Sequence, residues 1–246
     1  MILLKPKYEI ESISNDALDL INFAGRLCYR VPAPNDKEAY KKYVRKIIKA
    51  GHESVIEHSF LSVLFLCDRG ISHQLVRHRL ASFTQESSIR SRQLNDELEF
   101  IVPFWLKGIY DNVEEINKAF KKGWNTTEIT IVFNLNTFEE AFLNHLQKFE
   151  STYKIFKEQY GREMARDLLP TCLATRVLVS ANFREWRHIL KLRTSKHAHP
   201  QIKELMLPLL EELKMTIPVI FDDIEPYKEL KMTTPVKFDD IKPYKG

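Results

Sequence analysis

Cysteine is scarce in this chain. Cys28, Cys67 and Cys172 are spread over 246 residues, with no CxxC pair among them. A sparse, odd count excludes a disulfide framework and a thiolate zinc site, and predicts a reducing compartment, the cytoplasm. No apolar run approaches the ~20 residues that a membrane-spanning helix needs. The opening MILLKPKYEI is charged too early for a secretory leader, so none is expected. A long basic arm is also missing, and a net charge of +4 with a pI near 8.8 is only mildly basic. That balance weighs against nucleic acid as a partner and suits small anionic substrates.

The remaining composition is that of an ordinary globular chain, 44% apolar and 28% charged, long enough to bury a substantial core. Helices are predicted over Asn15–Tyr29 and Asp36–Ala50, the second with a Tyr40, Tyr43, Val44, Ile47, Ile48 stripe, a capping Asp36 and a terminating Gly51. Phe60–Cys67 (FLSVLFLC) is apolar on both faces and reads as a central strand. Asp68-Arg69-Gly70 reads as a turn, followed by a short helix over Ile71–His78 that sets Gln74 and Arg77 one turn apart. Strands are expected at Glu97–Val102 and Ala174–Ser180. Lys107–Asn134 is polar and irregular and carries no assignment. Thr137 with Glu140 forms a capping box before a long helix striped by Phe138, Phe142, Leu146, Phe149, Tyr153 and Phe156. Further helices are expected at Arg162–Leu169, Arg184–Arg193 and Gln201–Leu213, the last bent by Pro208.

The pattern predicts an α+β architecture: a mostly antiparallel central sheet, including residues 60–67, 97–102 and 174–180, wrapped by helices. The division is a domain over residues 1–213 and a tail over 214–246. The tail holds a repeat. KMTIPVIFDDIEPYK at Lys214–Lys228 recurs seventeen residues later as KMTTPVKFDDIKPYK, identical at twelve of fifteen positions. The second copy is more polar, with Lys237 for Ile220 and Lys242 for Glu225, so the first copy is expected to pack on the body and the second to extend from it.

Three clusters could carry chemistry. Arg77-His78-Arg79 follows an apolar segment and would repel itself without an anion between its members. On a helix its side chains would diverge by ~100° each and so could serve different groups. A run of neutral donors follows it, Ser82, Thr84, Gln85, Ser87 and Ser88, suited to phosphate and ribose hydroxyls, although a solvated basic helix end has the same composition. The second cluster, His52, Glu53, Ser54, Glu57 and His58, resembles a zinc helix only superficially. Its histidines are six apart rather than four, so no metal is expected, and Ser54 with Glu57 reads as a capping box. The third is Asn182, Arg184, Arg187, His188, Arg193 and His197, with Arg184, Arg187 and His188 on one helical face and no obvious carboxylate to pair the arginines.

Taken in order, GHESVIEH, DRGISHQLVRHRLASFTQES, ARDLLP and ANFREWRHILKLR resemble the motifs of the flavin-dependent thymidylate synthases, with matching segments from about Ala24 to about Leu213. The resemblance implies reductive methylation of dUMP to dTMP, with methylenetetrahydrofolate giving the carbon and NADPH reducing FAD. It implies homotetramers with active sites shared between subunits. Carried over by motif, FAD contacts fall on Ser54, Glu57, Arg77, His78, Arg79, Gln85, Asn182, Arg184 and His188. Nucleotide contacts fall on Gln74, Arg77, Gln85, Glu86, Ser87, Ser88, Arg90, Arg166 and Arg193, with Arg193 in the position that ionises N3 of the uracil. No GxGxxG occurs, so FAD would not occupy a Rossmann crevice. None of the three cysteines stands in a basic motif that would activate it as a nucleophile. Two departures stand out. Ile89 replaces an arginine common two residues after the signature serine, leaving Arg90 as its substitute, and Cys28 replaces a small hydroxyl residue. A catalytically impaired flavin- or nucleotide-binding homologue is the alternative reading.

Overall fold

The structure is a computed structural model that describes residues 1–27, 29–32, 34, 36–86 and 97–227. Its centre is a four-stranded sheet. Strands β2 (Lys7–Ile13), β3 (Phe60–Asp68), β6 (Ala174–Asn182) and β4 (Ser82–Gln85) lie in the order β2-β3-β6-β4, every pair antiparallel. β3 and β6 are the inner strands and pair along their whole lengths, from Phe60 opposite Asn182 to Asp68 opposite Ala174. This matches the continuous apolar run of β3. Its Leu61, Val63, Phe65 and Cys67 face a core completed by Val177, Val179 and Ala181 of β6, while Ser62 and Ser180 meet on the opposite face with hydroxyls 2.8 Å apart.

The expected strand at 97–102 does not join this sheet. β5 (Glu99–Ile101) pairs in parallel with β1 (Ile2–Leu4) in a separate two-stranded sheet, tied toward β6 by an isolated bridge from Phe100 to Leu173 and by an ion pair from Glu99 to Arg176 at 3.0 Å. Alternation reports that a strand is half buried; it carries no information about which partner it takes.

Helices α1 (Ala17–Leu27), α2 (Lys37–Lys49), α9 (Phe183–Arg193), α10 (Pro200–Thr216) and α11 (Pro218–Phe221) pack on the buried face of the large sheet. Asp36 caps α2 through the Glu38 amide, and Gly51 follows it at φ +76°. A second core gathers around β1 and β5 under α4 (Lys107–Asp111), α5 (Val113–Lys121), α6 (Thr126–Phe133), α7 (Thr137–Tyr160) and α8 (Arg162–Ala165). Residues 107–134 are therefore helical rather than irregular. Buried Ile109, Val113 and Ile116 follow helical spacing, and Asn125 with Glu128 forms a reciprocal capping box. The box of α7 is Asn136 with Glu139, one residue ahead of the expected Thr137 and Glu140. The buried side rotates with it: Leu143, Leu146 and Tyr153 face the core, while Phe138 is 81% exposed.

α10 runs through the expected boundary at residue 213, and Ile217, Val219, Ile220, Phe221 and Ile224 of the first repeat copy are part of the sheet core. The second copy lies outside the described residues. Among the described residues no helix is long and apolar enough to cross a membrane.

Candidate functional site

Two helices aim the site. β6 runs directly into α9 through Asn182, whose side chain accepts from the Glu185 amide at 2.9 Å. With Trp186, Ile189 and Leu190 buried on one side, the helix presents Arg184, His188 and Lys191 on the other. α3 (Arg69–Leu75) begins at Asp68, which caps it by accepting from the Ile71 amide at 2.7 Å. The expected turn at Asp68-Arg69-Gly70 is thus a helix start, and the helix ends before the basic triplet. Arg77, His78 and Arg79 lie in the turns that follow, so the helical divergence of their side chains does not apply. His78 turns inward, 4% exposed, while Arg77 and Arg79 remain exposed.

The inward histidine meets Arg193 at the end of α9. Arg193 Nε donates to His78 Nε2 at 3.0 Å, its Nη2 donates to the Gln74 carbonyl at 2.8 Å, and its Nη1 reaches Gln74 Oε1 at 3.5 Å. The other ring nitrogen of His78 is 3.6 Å from Glu185 Oε1, and the His188 ring stands edge-on at 5.7 Å. Burial, then the charges of Arg193 and His188, push His78 down to about 4. Burial also lowers Arg193 and raises Glu185. His78 is therefore neutral at physiological pH, with Nε2 as the acceptor for the guanidinium. His78, Glu185 and His188 bring potential metal-ligand atoms within 4.8 Å of one another, but a cation there would compete with the Arg193 guanidinium for His78.

Beside this constellation a cleft of about 580 Å³ opens between α9 and the 3-10 turn Glu53–His58. Its walls are Glu53, Glu57, Leu80, Asn182, Arg184, Glu185, His188 and Lys191. Arg184 pairs with Glu57 at 2.5 Å across the mouth, an interaction that raises the guanidinium. The expected Ser54–Glu57 capping box does not form: His52 holds the cap position with no side-chain bond, and Glu57 turns to Arg184 instead. Arg187 also departs from its expected face. It is 1% exposed and donates to both carboxylate oxygens of Asp223 at 2.5 and 2.7 Å and to Glu53 at 3.1 Å. Its carboxylate partners, unseen in the sequence, lie 134 residues before it and 36 after.

Of the other anticipated residues, Gln85 ends β4 and donates to Ser72 and Thr175 hydroxyls at 3.2 Å each. Glu86 pairs with Arg176 at 3.2 Å. Arg166 opens a 3-10 turn, Arg166–Leu168, on the helical side of the molecule, and is half exposed beside Asp167. Gln74 also borders a smaller cleft of about 280 Å³ with Asp68, Trp105, His199 and Gln201. Ser87, Ser88, Ile89 and Arg90 lie outside the described residues. The structure thus gathers Glu57, Asn182, Arg184 and His188 at one cleft, joins His78, Gln74 and Arg193 beside it, and leaves Arg166 apart. Sequence reasoning missed Glu53, Leu80, Glu185 and Lys191 as cleft residues. Glu185 carried a usable signal, three residues past a capping asparagine.

A profile of the family described as Thymidylate synthase complementing protein matches residues 9–219. The chain is 31% identical over 221 residues to a flavin-dependent thymidylate synthase of Corynebacterium diphtheriae, covering 89% of this chain and 83% of that protein. It is 33% identical over 223 residues to the enzyme of that name from Mycolicibacterium gilvum, covering 89% and 84%. The fold matches a crystal structure of the UMP/dUMP methylase PolB from Streptomyces cacaoi bound with 5-Br dUMP, at a TM-score of 0.69 and 21% identity over 90% of this chain and 96% of that one. On a match spanning most of both sequences, the chain belongs to the flavin-dependent thymidylate synthase family.

Proposed function

We propose that this protein methylates dUMP reductively to dTMP, with FAD as its cofactor, methylenetetrahydrofolate as the carbon donor and NADPH as the reductant. The observation that carries the reading is the Arg193–His78–Gln74 constellation bordering the α9 cleft. The cleft fits part of a flavin: its volume lies in the range of small-molecule sites, Leu80 gives it an apolar wall, and Arg184, His188 and Lys191 give it donors. Exposed Arg77 and Arg79, on the same turns as His78, are placed to meet phosphates. Ser54, Asn182 and the described members of the nucleotide set, Gln74, Gln85, Glu86 and Arg166, complete the proposed contacts, with Ser87, Ser88 and Arg90 contributing from the signature loop.

The residues orient and polarise. Arg193, anchored on the Gln74 carbonyl and on neutral His78, holds a fixed positive charge for the anion formed when uracil N3 loses its proton. That charge raises electron density in the ring and favours its attack on the one-carbon unit. When bound and reduced by NADPH, the flavin supplies the hydride. Burial pushes the Cys67 thiol up to about 12 and the Cys172 thiol up to about 11, so neither offers a thiolate to attack the ring. We further propose a cytoplasmic homotetramer with shared sites. Exposed Leu20, Phe23 and Leu27 form an unpaired apolar stripe on α1, and a neighbouring subunit would bring Arg166 to the cleft. Tritium release from 5-tritiated dUMP, dependent on FAD, NADPH and the folate, tests the reading. Flavin binding with no release would leave only a binding homologue.

A further inference from the structure

The first repeat copy runs along the back of α9. Phe221 stacks edge-on against Phe183 at the start of the helix, 5.9 Å between centroids. Asp223 grips Arg187 in the middle, and the Tyr227 amide donates to the Thr194 carbonyl at its end, 2.9 Å away. The segment leaves α11 through a turn at Asp222-Asp223, closed by the Ile224 amide on the Phe221 carbonyl at 3.2 Å, and continues without regular structure to Tyr227. Lys196 and Lys203 lie over the Tyr227 ring, and the neighbouring Asp222 pairs with Arg45 of α2. The segment is therefore fastened at both ends and on both sides.

The middle fastening reaches the cleft. Arg187 is buried, so its charge must be met where it stands. Asp223 takes two of its donors, the Ile220 carbonyl is a further acceptor, and the remaining Nε goes to Glu53. Glu53 in turn is 3.8 Å from Lys191 Nζ, and both line the cleft. From this geometry we infer that residues 217–227 form a strap that sets the cleft wall, and that Asp223 is a positioning residue acting through Arg187 on Glu53. The inference rests on reading the cleft as the flavin site. The second copy preserves the aspartates as Asp239 and Asp240 but has Lys237 where Ile220 is fully buried. Docking it in the same place would bury a cation without a partner, so the two copies are not interchangeable.

The full-length protein carrying Asp223→Asn, Asp223→Glu or Asp222→Asn tests this. Glu53 and the Ile220 carbonyl still meet Arg187 in the first variant, which keeps it foldable. FAD titration should show Asp223→Asn weakened by about tenfold, Asp223→Glu largely restored, and Asp222→Asn within about twofold of the parent. Hydrogen exchange without flavin should show faster exchange in Asp223→Asn confined to residues 53–58 and 184–194. Unchanged FAD affinity in Asp223→Asn, or equal losses in both asparagine variants, overturns the positioning role. A parent protein that binds no FAD instead removes the flavin reading, and exchange then decides the strap: a local increase upholds it, a uniform one refutes it.

Discussion

The buried polar groups around α3 and α9 and those elsewhere in the molecule are satisfied differently. Around the four-stranded sheet, Trp186 donates to the Leu61 carbonyl, Asp68 takes the Ile71 amide and Gln201, and Arg187 takes two carboxylates and a carbonyl. Among the described residues, the side-chain atoms buried with no partner lie away from α3 and α9: the Tyr153 and Thr130 hydroxyls in the helical core, Asn22 Nδ2 on α1 and Glu204 Oε2 on α10. The groups on α3 and α9 are held in place because α9 must present Arg184, His188 and Arg193 in fixed positions. Desolvating a polar group is tolerable as scaffolding cost but not where an orientation has to be kept.

The largest contrast should appear on truncation. Trp186 is fully buried, packs against Phe65 and bonds to β3. Trp186→Ala should cost about 3–5 kcal/mol in denaturant unfolding. Phe138→Ala, at a position where the sequence pattern marks a core residue, should fall within about 0.5 kcal/mol. A large loss at Phe138 would mean that its exposed ring is covered by another subunit, and the contrast would then describe the assembly rather than the chain.

That pair also shows where the sequence was legible. β3 was readable because its run is apolar on both faces, and α2 because a 3.6-residue stripe, a capping Asp36 and a following Gly51 coincide. The helices from 107 to 133 were not, because α4 and α5 are short and charged on their open sides, so few apolar positions mark the period. The phenylalanines of α7 fall along one stripe and drew the reading toward it, whereas the buried side is centred past its edge, on Leu146, Tyr153 and the unread Leu143. In the site, Asn182, Arg184, His188 and Arg193 were legible as one helical cluster. The partnership of Arg187 with Glu53 and Asp223 was not, since ion pairs between distant segments leave no periodicity. The inward turn of His78 was lost for a different reason: the expected helix continued to His78, whereas α3 stops at Leu75.

A smaller effect separates the contribution of each half to the reaction. Arg193→Ala should reduce turnover by about 10²–10³-fold while FAD still binds, since it removes one fixed charge from the developing anion. Arg166→Ala, on the helical side, should raise the KM for dUMP by about tenfold with little change in kcat, the pattern of a phosphate contact. Intact turnover in the Arg193 variant would remove its proposed role. An unchanged KM in the Arg166 variant would confine the site to the sheet half.

Acid should separate the cores by somewhat less. His78 titrates near 4 in the folded protein and about 6.5 when unfolded, so the unfolded chain binds the extra proton first. Stability is complete above pH 6.5 and declines as pH falls toward 4. The cost is about 2–3 kcal/mol at the bottom of that window, taken from the shift at 1.36 kcal/mol per pH unit and rounded down. His78→Gln should flatten this slope between pH 6.5 and 4 in denaturant melts. A slope identical in parent and variant would mean that Glu185 accepts the imidazolium without loss.

The smallest effect belongs to the helical core. Tyr153 is buried and among the described residues its hydroxyl has no partner, so the folded state bears a desolvation cost that water meets in the unfolded chain. Burial raises its pKa for the same reason. Tyr153→Phe removes the unpaired oxygen and keeps the ring, so it should be neutral or stabilising by about 1 kcal/mol in the same melts. The corresponding removal at the sheet core, Asp223→Asn, takes away a carboxylate that is engaged and should destabilise. If Tyr153→Phe also destabilised the protein, the hydroxyl would have to be bound to something, such as water. The helical core would then share the polar order found around α3 and α9 instead of contrasting with it.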